Sequence, residues 1–477
     1  MIKNFIPTIG VEVHCVLNTK SKMFSPSKNN HYDPSNTNVH PLDLGMPGVL
    51  PSVNRAAVKK AIILAKTLDM KIEKNLNFDR KNYFYQDLPK GYQLTQQFMP
   101  IGTNGKIILD NGKIINIERI HLEEDTAKET ITNGQVFLDF NRCGCPLIEI
   151  VSKPDIHSVD EVLAYLNKLK RILIFMNISD GKMEDGSLRA DINISIAPCG
   201  SKKLGTRIEL KNINSFASIQ KAINYEINRQ SQMILNNESW EQATFRWDEL
   251  ANKTIFMRSK ESVVDYHYFA EPNIITLRLP DEFVQDVLNN MNENVDVIEE
   301  KLKSLKINEK IIEQLLNDYH LYRVFSSVYT QTKEVEATLT WVVVELPNYL
   351  KKVNRSIESV TDHEIKLITS LIELLKSGEL NGKHAKTLFP LMLDKQHWPS
   401  KIMDELHLVQ IKDPYVLKPI ISRIVEANLP MLDQYDNRKE RVIKMFVGLI
   451  MKETSGQANP AVANKILIEI INEKLNK

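Results

Sequence analysis

Alternating apolar and polar positions mark short strands in the first 290 residues. Ile9, Val11 and Val13 alternate with Glu12 and His14, so the two polar side chains share one face of a strand. Further strand-like runs occur at 114–121, 146–151, 188–196 and 206–211. This part of the chain is therefore predicted to be rich in β-sheet.

One helix in the same region is signalled by a stripe of apolar residues. The segment 158–177 begins with Ser158 and Glu161, which form the sequence pattern of a capping box. The apolar residues that follow recur at helical spacing and predict one buried helix face: Val162, Tyr165, Leu166, Leu169, Ile172, Leu173 and Met176.

Beyond residue 290 the pattern changes to polar, amphipathic helices rich in Lys and Glu, as in 292–318 and 363–375. Helix breaks are expected at Asn381-Gly382, Trp398-Pro399, Asp413-Pro414 and Asn459-Pro460. The predicted fold class is α+β, with mainly antiparallel sheet at 1–290. An all-α part follows, divided into a helical domain at 291–400 and a helical tail at 401–477.

Composition is that of an ordinary globular protein. Of 477 residues, 43% are hydrophobic and 25% are charged, which is enough to bury a large core. The 61 Lys and Arg nearly balance the 60 Asp and Glu, which excludes a uniformly basic coat but leaves a local basic patch possible. The chain shows no signal peptide and no apolar run of about 18 residues, so a cytoplasmic protein without a membrane partner is expected.

Carboxylates and an imidazole form candidate metal-binding groups. Glu12 and His14 share a strand face, Glu123 and Glu124 belong to a run of three acidic residues, and Glu149 lies inside an apolar strand. Oxygen ligands of this kind suit Mg²⁺. Each group also has a plain structural reading: a chance pair on a surface strand, a solvated turn, and an exposed sheet face.

Two further segments combine basic and polar residues. In 182–193 a turn leads into a strand whose polar face holds Arg189 and Asp191, and an arginine there can grip a phosphate. In 209–216 either Asn214 or Ser215 is placed to cap a following helix, whose N-terminus can receive an anion. A solvated strand face and an ordinary capped helix explain these segments equally well.

The sequence lacks the common phosphate-binding motifs. It contains neither GxxxxGK[ST] nor a GxGxxG that follows a strand, and it has no GxSxG. If the protein uses ATP, scattered carboxylates and basic residues must hold it. The four cysteines do not form a disulfide framework, and Cys143-Gly-Cys145 lacks the two-residue gap of zinc knuckles.

Many of these segments together resemble the B subunits of the GatCAB tRNA-dependent amidotransferases, in the family's order and along the whole chain. The matching strings include IGVEVH (9–14), FDRKNYFYQDLPKGYQLTQ (78–96), HLEEDTAK (121–128), FNRCGCPLIEIVSKPDI (140–156), KMEDGSLRADINIS (182–195), ELKNINSF (209–216), MRSKES (257–262), DYHYFAEP (265–272) and FVGLIMKETSGQANP (446–460).

The resemblance implies a glutamine-hydrolysing carbon–nitrogen ligase. In that family the B subunit uses ATP to phosphorylate the side-chain carboxylate of Glu-tRNA(Gln) or Asp-tRNA(Asn). Ammonia from an amidase A subunit then displaces the phosphate, and a small C subunit joins A and B. The catalytic domain of the family is a cradle likened to the glutamine synthetase and guanido kinase fold. The tail contacts tRNA, and the sequence leaves the preferred tRNA open.

The resemblance also implies site residues. The expected catalytic residues are Glu12, His14, Glu124, Glu149, Arg189 and Asp191. The expected Mg²⁺ ligands are Glu12, His14, Glu123, Glu124 and Glu149. The candidates for ATP and its phosphates are Lys81, Tyr83, Ser187, Arg189 and Lys211. The tail candidates for tRNA are Lys452, Gly456 and Asn459.

The chain departs from the family pattern at some positions. Many relatives have Cys-Pro-x-Cys where this chain has His40-Pro-Leu-Asp43, so zinc is not expected. Ala270 replaces a common proline and Ala190 a common cysteine.

Three other functions fit parts of the sequence. A free-standing kinase or ligase acting on a small amino acid would need the metal site but not the helical tail. A purely structural RNA-binding protein would not need the carboxylates, and a glutaminase would need a nucleophile that the sequence does not offer. From residue 351 onward, 20 Lys and Arg accompany 16 Asp and Glu. This small excess suits RNA contact and solvated helix faces alike.

Overall fold

The computed structural model describes residues 5–259, 266–406, 411, 413–454 and 456–475. It consists of two compact units, the first ending at Ile307 and the second beginning at Asn308. The domain limits drawn from the sequence at 290 and 400 stay predictions beside this division. The motif segments 257–262 and 265–272 lie partly outside the described residues.

The first unit is built on short strands, several of them at the positions that alternation predicts. The strands in chain order are β1 (Phe5–Val16), β2 (Lys71–Ile72), β3 (Asn75–Leu76), β4 (Asp79–Asn82), β5 (Tyr92–Thr95), β6 (Gly102–Ile108), β7 (Ile114–Glu124), β8 (Lys128–Thr132), β9 (Gln135–Asp139), β10 (Pro146–Ser152), β11 (Leu188–Pro198), β12 (Ile208–Lys211), β13 (Ala243–Asp248), β14 (Lys253–Ser259), β15 (Phe269–Ala270) and β16 (Leu277–Arg278).

Nine of these strands form one sheet in the order β14-β13-β12-β11-β1-β10-β7-β6-β2. Every neighbouring pair is antiparallel except β12 and β13, which are parallel. A small sheet with the order β15-β4-β5 accompanies it. The mainly antiparallel sheet agrees with the predicted fold class. The five strands that carry the candidate site residues of the large sheet lie next to one another: β12, β11, β1, β10 and β7.

The two faces of the large sheet differ because side chains alternate along each strand. On β1 the odd-numbered Ile9, Val11, Val13 and Cys15 are fully buried. Helices cover parts of the sheet: α1 (Arg55–Thr67) packs on β6 and β7, α2 (Val159–Phe175) on β6, and α3 (Phe216–Leu235) on β11 and β14. The even-numbered positions of β1 include Glu12 and His14, whose side chains remain on the polar face.

The predicted helix at 158–177 is confirmed as α2, and its cap differs in one detail. The Oγ of Ser158 accepts a hydrogen bond from the N–H of Glu161 at 3.2 Å, as expected. The Glu161 carboxylate accepts from the N–H of His157 at 2.7 Å instead of from Ser158. At the start of α3 the cap is Ser215, which accepts from the N–H of Ser218 at 3.1 Å.

Two helices complete the first unit: α4 (Asp281–Asn289) and α5 (Val295–Ser304). The second unit contains the helices α6 (Glu309–Asn317), α7 (Tyr319–Thr332), α8 (Val335–Thr338), α9 (Leu346–Lys352), α10 (Asp362–Lys376), α11 (Gly382–Lys395), α12 (Pro399–Glu405), α13 (Pro414–Ala427), α14 (Tyr435–Glu453) and α15 (Pro460–Leu475), with a π-helix at Leu339–Glu345. The four predicted breaks coincide with the starts of α11, α12, α13 and α15. Within its described residues this unit contains no strand.

Candidate functional site

Strand pairing brings the polar residues of distant segments onto one patch of the large sheet. His14 on β1 is the cross-strand partner of Glu149 on β10 and of Arg189 on β11. On its far side Glu149 pairs with His121 on β7. Directly opposite residues of an antiparallel pair lie on the same face, so these four side chains meet there.

The first group in this patch consists of His14, Glu123 and Glu149, whose ligand atoms lie within 4.8 Å of one another. Nε2 of His14 is 3.7 Å from Oε1 of Glu123 and 3.5 Å from Oε2 of Glu149. A second imidazole adjoins the group, since Nε2 of His121 lies 3.1 Å from Oε2 of Glu149. The group thus combines two carboxylates with two imidazoles.

Burial and charge act against each other in this group. Burial disfavours the charged imidazole of His121, but the charges of Glu149 and Glu123 outweigh it and raise the pKa of His121 to about 9. Burial opposes ionisation of Glu149 as well, yet His121 and His14 hold the pKa of this carboxyl well below its usual range. At neutral pH the protonated His121 therefore offsets part of the charge of the two carboxylates, and a bound metal ion would have to compete with it.

The second group consists of Glu12, Asp191 and Glu209, again with ligand atoms within 4.8 Å of one another. Nζ of Lys211 partly neutralises it, at 2.6 Å from Oδ2 of Asp191 and 3.4 Å from Oε1 of Glu209. Asn193 donates a hydrogen bond to Glu12 at 2.8 Å. Burial, together with the charge of Glu149, raises the pKa of Glu12 against the attraction of Lys211.

A cavity of about 300 Å³ opens beside the two groups and reaches His14 and Glu123 of the first and Asp191 of the second. It is lined by His14, Lys81, Tyr83, Gln93, Glu123, Asp125, Thr126, Leu147, Arg189, Ala190, Asp191, Lys211, Asn212, Ile213 and Asn214. Four of the five ATP candidates, Lys81, Tyr83, Arg189 and Lys211, are on this wall. Arg189 is held there by Asp125, with Nη2 3.0 Å from Oδ2.

The donor set of the first group fits Mg²⁺. This hard cation prefers carboxylate oxygens and keeps several waters, and two carboxylates beside an open cavity supply both conditions. Burial lowers the pKa of His14, but Glu149 and Glu123 outweigh it and raise the pKa, so this imidazole would lose its proton on adding a nitrogen ligand. The second group is less suited to a metal ion because the ammonium of Lys211 already contacts two of its carboxylates.

Four predicted site residues are not among those that line this cavity: Glu12, which lines a neighbouring cavity of about 540 Å³, and Glu149, Glu124 and Ser187. Glu124 follows Glu123 on β7 and points to the opposite side of the strand, where its carboxylate pairs with Nζ of Lys90 and accepts from the N–H of Leu94 at 3.0 Å. Strand alternation makes it impossible for both carboxylates to serve one site. Ser187 is buried and is not among the residues that line the cavity.

Residues that the sequence did not single out also contribute. His121 and Glu209 belong to the two groups, and Lys90 neutralises Glu124. For His121 and Glu209 a signal existed: each lies two residues from a chosen candidate, Glu123 or Lys211, and so shares its face of the strand. No comparable signal pointed to Lys90, because 34 positions separate it from Glu124.

The tail candidates divide into one exposed and two buried residues. Lys452 on α14 is exposed, whereas Gly456 and Asn459 are buried. The side chain of Asn459 accepts from the N–H groups of Ala461 and Val462 at the start of α15 and donates to the carbonyl of Gly378 at 2.9 Å. The RNA contact of Gly456 and Asn459 stays a prediction, and the burial of both residues shows that they also contribute to packing within this unit.

The segment in which many relatives have two cysteines contains an internal ion pair here. Nζ of Lys22 is fully buried, 2.9 Å from Oδ2 of Asp43 and 3.1 Å from the carbonyl oxygen of Phe140. Sγ of Cys143 contacts the carbonyl of Asp43 at 3.3 Å. The positive charge in this segment thus comes from the ammonium of Lys22.

One face of the sheet gathers carboxylates, imidazoles and basic groups around a cavity, and a helical unit follows it in the chain. These are the features of a catalytic sheet domain with a helical extension. Family models agree: residues 7–285 match the GatB/GatE catalytic domain and residues 323–471 match the GatB domain. The chain belongs to the family of the B subunits of aspartyl/glutamyl-tRNA(Asn/Gln) amidotransferases.

Relatives cover the whole chain. It is similar to the B subunit of the aspartyl/glutamyl-tRNA(Asn/Gln) amidotransferase from Malacoplasma penetrans, with 49% identity over 100% of this chain and 99% of the relative. The corresponding protein of Mycoplasmopsis pulmonis is 44% identical over 99% of this chain and 100% of the relative. That of Ureaplasma urealyticum serovar 10 is 43% identical over 98% and 100%. No helix among the described residues is long and apolar enough to span a membrane.

Proposed function

We propose that this chain activates the side-chain carboxylate of Glu-tRNA(Gln), Asp-tRNA(Asn) or both with ATP, as the B subunit of a glutamine-hydrolysing amidotransferase that serves protein synthesis. The observation that carries the proposal is the cavity lined by His14 and Glu123, which meet Glu149 behind its wall, and by Lys81, Arg189 and Lys211. Phosphoryl transfer needs positioning and charge neutralisation far more than covalent catalysis, and these residues supply both.

The proposed reaction has two steps. An oxygen of the substrate carboxylate attacks the γ-phosphorus of ATP, the bond between that phosphorus and the β–γ bridging oxygen breaks, and ADP leaves. Ammonia then attacks the acyl carbon of the acyl phosphate. The carbon–oxygen bond to the phosphate breaks, the phosphate leaves with one of the nitrogen's protons, and an amide remains.

The residues of the cavity have distinct tasks in this proposal. His14, Glu123 and Glu149 would hold Mg²⁺, which would supply neutralisation of negative charge on the phosphates. Arg189, oriented by Asp125, and Lys81 contact phosphate oxygens. Lys211 holds Asp191 in place and adds positive charge, and Asn193 fixes the carboxylate of Glu12.

The remaining parts of the assembly follow from the family. An A subunit with amidase activity supplies the ammonia, and a small C subunit joins A and B. The antiparallel sheet with its open polar face suits the family's likeness to the fold of glutamine synthetase and guanido kinases. The chemistry suits this likeness as well, because glutamine synthetase also forms an acyl phosphate and traps it with ammonia. The helical tail, with Lys452 exposed on α14, contacts the tRNA.

The test is phosphate release by the complex of this chain with its A and C subunits, given ATP, Mg²⁺ and misacylated tRNA. The variants are Glu149→Ala and His14→Ala, and the matched control is Glu282→Ala, which removes an exposed carboxylate on α4. Phosphate release is expected to depend on charged tRNA and to collapse in both site variants. Phosphate release should persist in the Glu282→Ala control, and glutamine hydrolysis should persist in all three variants. Normal phosphate release by the site variants would make this chain a tRNA-presenting scaffold instead.

A further inference from the structure

Aromatic rings form a continuous row at the mouth of the cavity. Neighbouring rings meet edge to face, with centroids 5.8 Å apart for Tyr83 and Tyr85, 5.9 Å for Tyr83 and Tyr266, 5.9 Å for Tyr266 and Tyr268, and 6.3 Å for Tyr268 and Phe98. We call these five residues the aromatic row. Tyr83 also lines the cavity, so the row leads from the catalytic groups to the outer surface.

The backbone fixes the aromatic row. The N–H of Asn82, at the end of β4, donates to the carbonyl of Tyr266 at 2.9 Å, and its side-chain amide donates to the carbonyl of His267 at 2.7 Å. These bonds tie the segment of Tyr266 and Tyr268 to the strand that precedes Tyr83. These hydrogen bonds place Tyr266 and Tyr268 next to Tyr83, so residues distant in the chain form one row.

The two ends of the row are open to solvent. Phe98 is 65% exposed and Tyr85 is 61% exposed, and Phe84 beside the row is 89% exposed. Large rings that remain in water at this density are unusual, because each forgoes the favourable burial of its apolar surface. Such a surface indicates a binding partner that covers the rings.

Positive charge lies among the rings. Nζ of Lys81 is 4.8 Å from the ring centre of Tyr266 and 5.8 Å from that of Tyr83. The guanidinium of Arg80 is 4.0 Å above the ring centre of Tyr92, where Glu271 holds it with two hydrogen bonds. Aromatic rings on a positively charged surface are the arrangement by which proteins bind unpaired nucleotides, whose bases stack on the rings.

We propose that the aromatic row stacks the unpaired nucleotides at the 3′ end of the aminoacyl-tRNA. This inference rests on the proposed function, since the esterified amino acid is joined to the terminal ribose by only a few bonds. When its carboxylate enters the cavity beside His14 and Glu123, the terminal base lies at the cavity mouth, where Tyr83 begins the row. Stacking does not read base identity, so the row would hold the 3′ ends of Glu-tRNA(Gln) and Asp-tRNA(Asn) alike.

The test uses the assembled complex of all three subunits with misacylated tRNA as the varied substrate. The variants Phe98→Leu and Tyr85→Leu keep apolar volume and remove the ring, while Phe98→Tyr and Tyr85→Phe keep it. Phe256→Leu is the matched control, because Phe256 is also exposed and meets Phe245 edge to face, but on β14. Loss of a stacking ring is expected to raise the KM for tRNA about tenfold, mainly without loss of kcat. The ring-keeping variants and the control should retain the KM of the parent complex.

The outcomes separate this inference from the proposed function. If the Leu variants keep the parent KM while Glu149→Ala abolishes tRNA-dependent phosphate release, the aromatic row does not bind the 3′ end although the function holds. If the Leu variants fail to assemble with the A or C subunit in gel filtration, the row is a protein interface and the inference is wrong. If Glu149→Ala remains fully active, the proposed function itself fails, whatever the KM values show.

Discussion

Nε2 of His121 lies 3.1 Å from Oε2 of Glu149, its direct partner across β7 and β10. His121 is almost completely buried and has no place on the cavity wall, so it acts on the site through Glu149. A hydrogen-bonding partner behind a metal-binding carboxylate fixes the direction in which the free oxygen points. His121 is thus a positioning residue for the proposed Mg²⁺ site.

Replacing His121 with Gln is expected to weaken Mg²⁺ use rather than to abolish catalysis. Loss of such a supporting partner costs roughly 10- to 100-fold in metal affinity. The measurement is the Mg²⁺ concentration for half-maximal phosphate release by the assembled complex, with thermal unfolding as the check on folding. Saturating Mg²⁺ should restore most of the activity. If excess Mg²⁺ leaves the activity low in a folded variant, His121 has another task.

Alternation along single strands made part of this site predictable. Glu12 and His14 share a face because they are two residues apart, and the same period separates Arg189 and Asp191. The sequence did not reveal which strands lie side by side, and so it placed Glu12 and His14 in one metal shell. The structure assigns them to different groups, because β11 and β12 bring Asp191 and Glu209 to Glu12. Pairing between segments more than 100 residues apart is decided by tertiary packing.

The buried pair of Lys22 and Asp43 gives a prediction about stability. Lys22→Met leaves the Asp43 carboxylate without its cation in a dry environment, which is expected to lower the free energy of unfolding by about 3–5 kcal/mol. The double variant Lys22→Met with Asp43→Leu should recover much of this loss, because both charges are gone. Urea unfolding of the full chain measures the effect.

The control for this prediction is Lys28→Met, which removes an exposed ion pair with Asp33. Exposed pairs contribute only about 0–1 kcal/mol, so its effect should be small. Equal losses for Lys22→Met and Lys28→Met would show that burial of the pair is not what makes it important.

Glu364 in the second unit predicts a dependence of stability on pH. Its carboxylate accepts from both Nη groups of Arg355 at 2.8 and 3.1 Å and from the N–H of Thr361 at 2.9 Å. Burial opposes ionisation, but these bonds outweigh it and lower the pKa of Glu364. The unfolded carboxyl titrates near about 4.3, so the stabilisation is fully present above that pH and is lost as pH falls through the lower pKa of the folded state.

Glu364→Gln should therefore lower stability by roughly 1–3 kcal/mol at neutral pH, and the difference from the parent should shrink below about pH 4. The measurement is urea unfolding of the full chain, followed by circular dichroism over a series of pH values. Glu373→Gln is the control on the same helix, because Glu373 is exposed. A difference between Glu364→Gln and the parent that stays constant down to about pH 3 would contradict the assignment of this stabilisation to the ionised carboxylate.

The tail offers a last prediction, which separates packing from RNA binding. Gly456 has φ +83°, and a Cβ added there would lie 3.1 Å from Nε2 of His384. Gly456→Ala is therefore expected to destabilise the chain by about 1–3 kcal/mol through backbone strain. Lys452→Ala removes an exposed ammonium and should leave stability unchanged while weakening tRNA binding. If Lys452 contacts one phosphate, the slope of log affinity for tRNA against log salt concentration should be about one unit smaller in this variant than in the parent. The two measurements, unfolding and tRNA binding at several salt concentrations, assign each residue. If the Gly456→Ala variant keeps the parental stability but loses affinity for tRNA, Gly456 contacts the RNA.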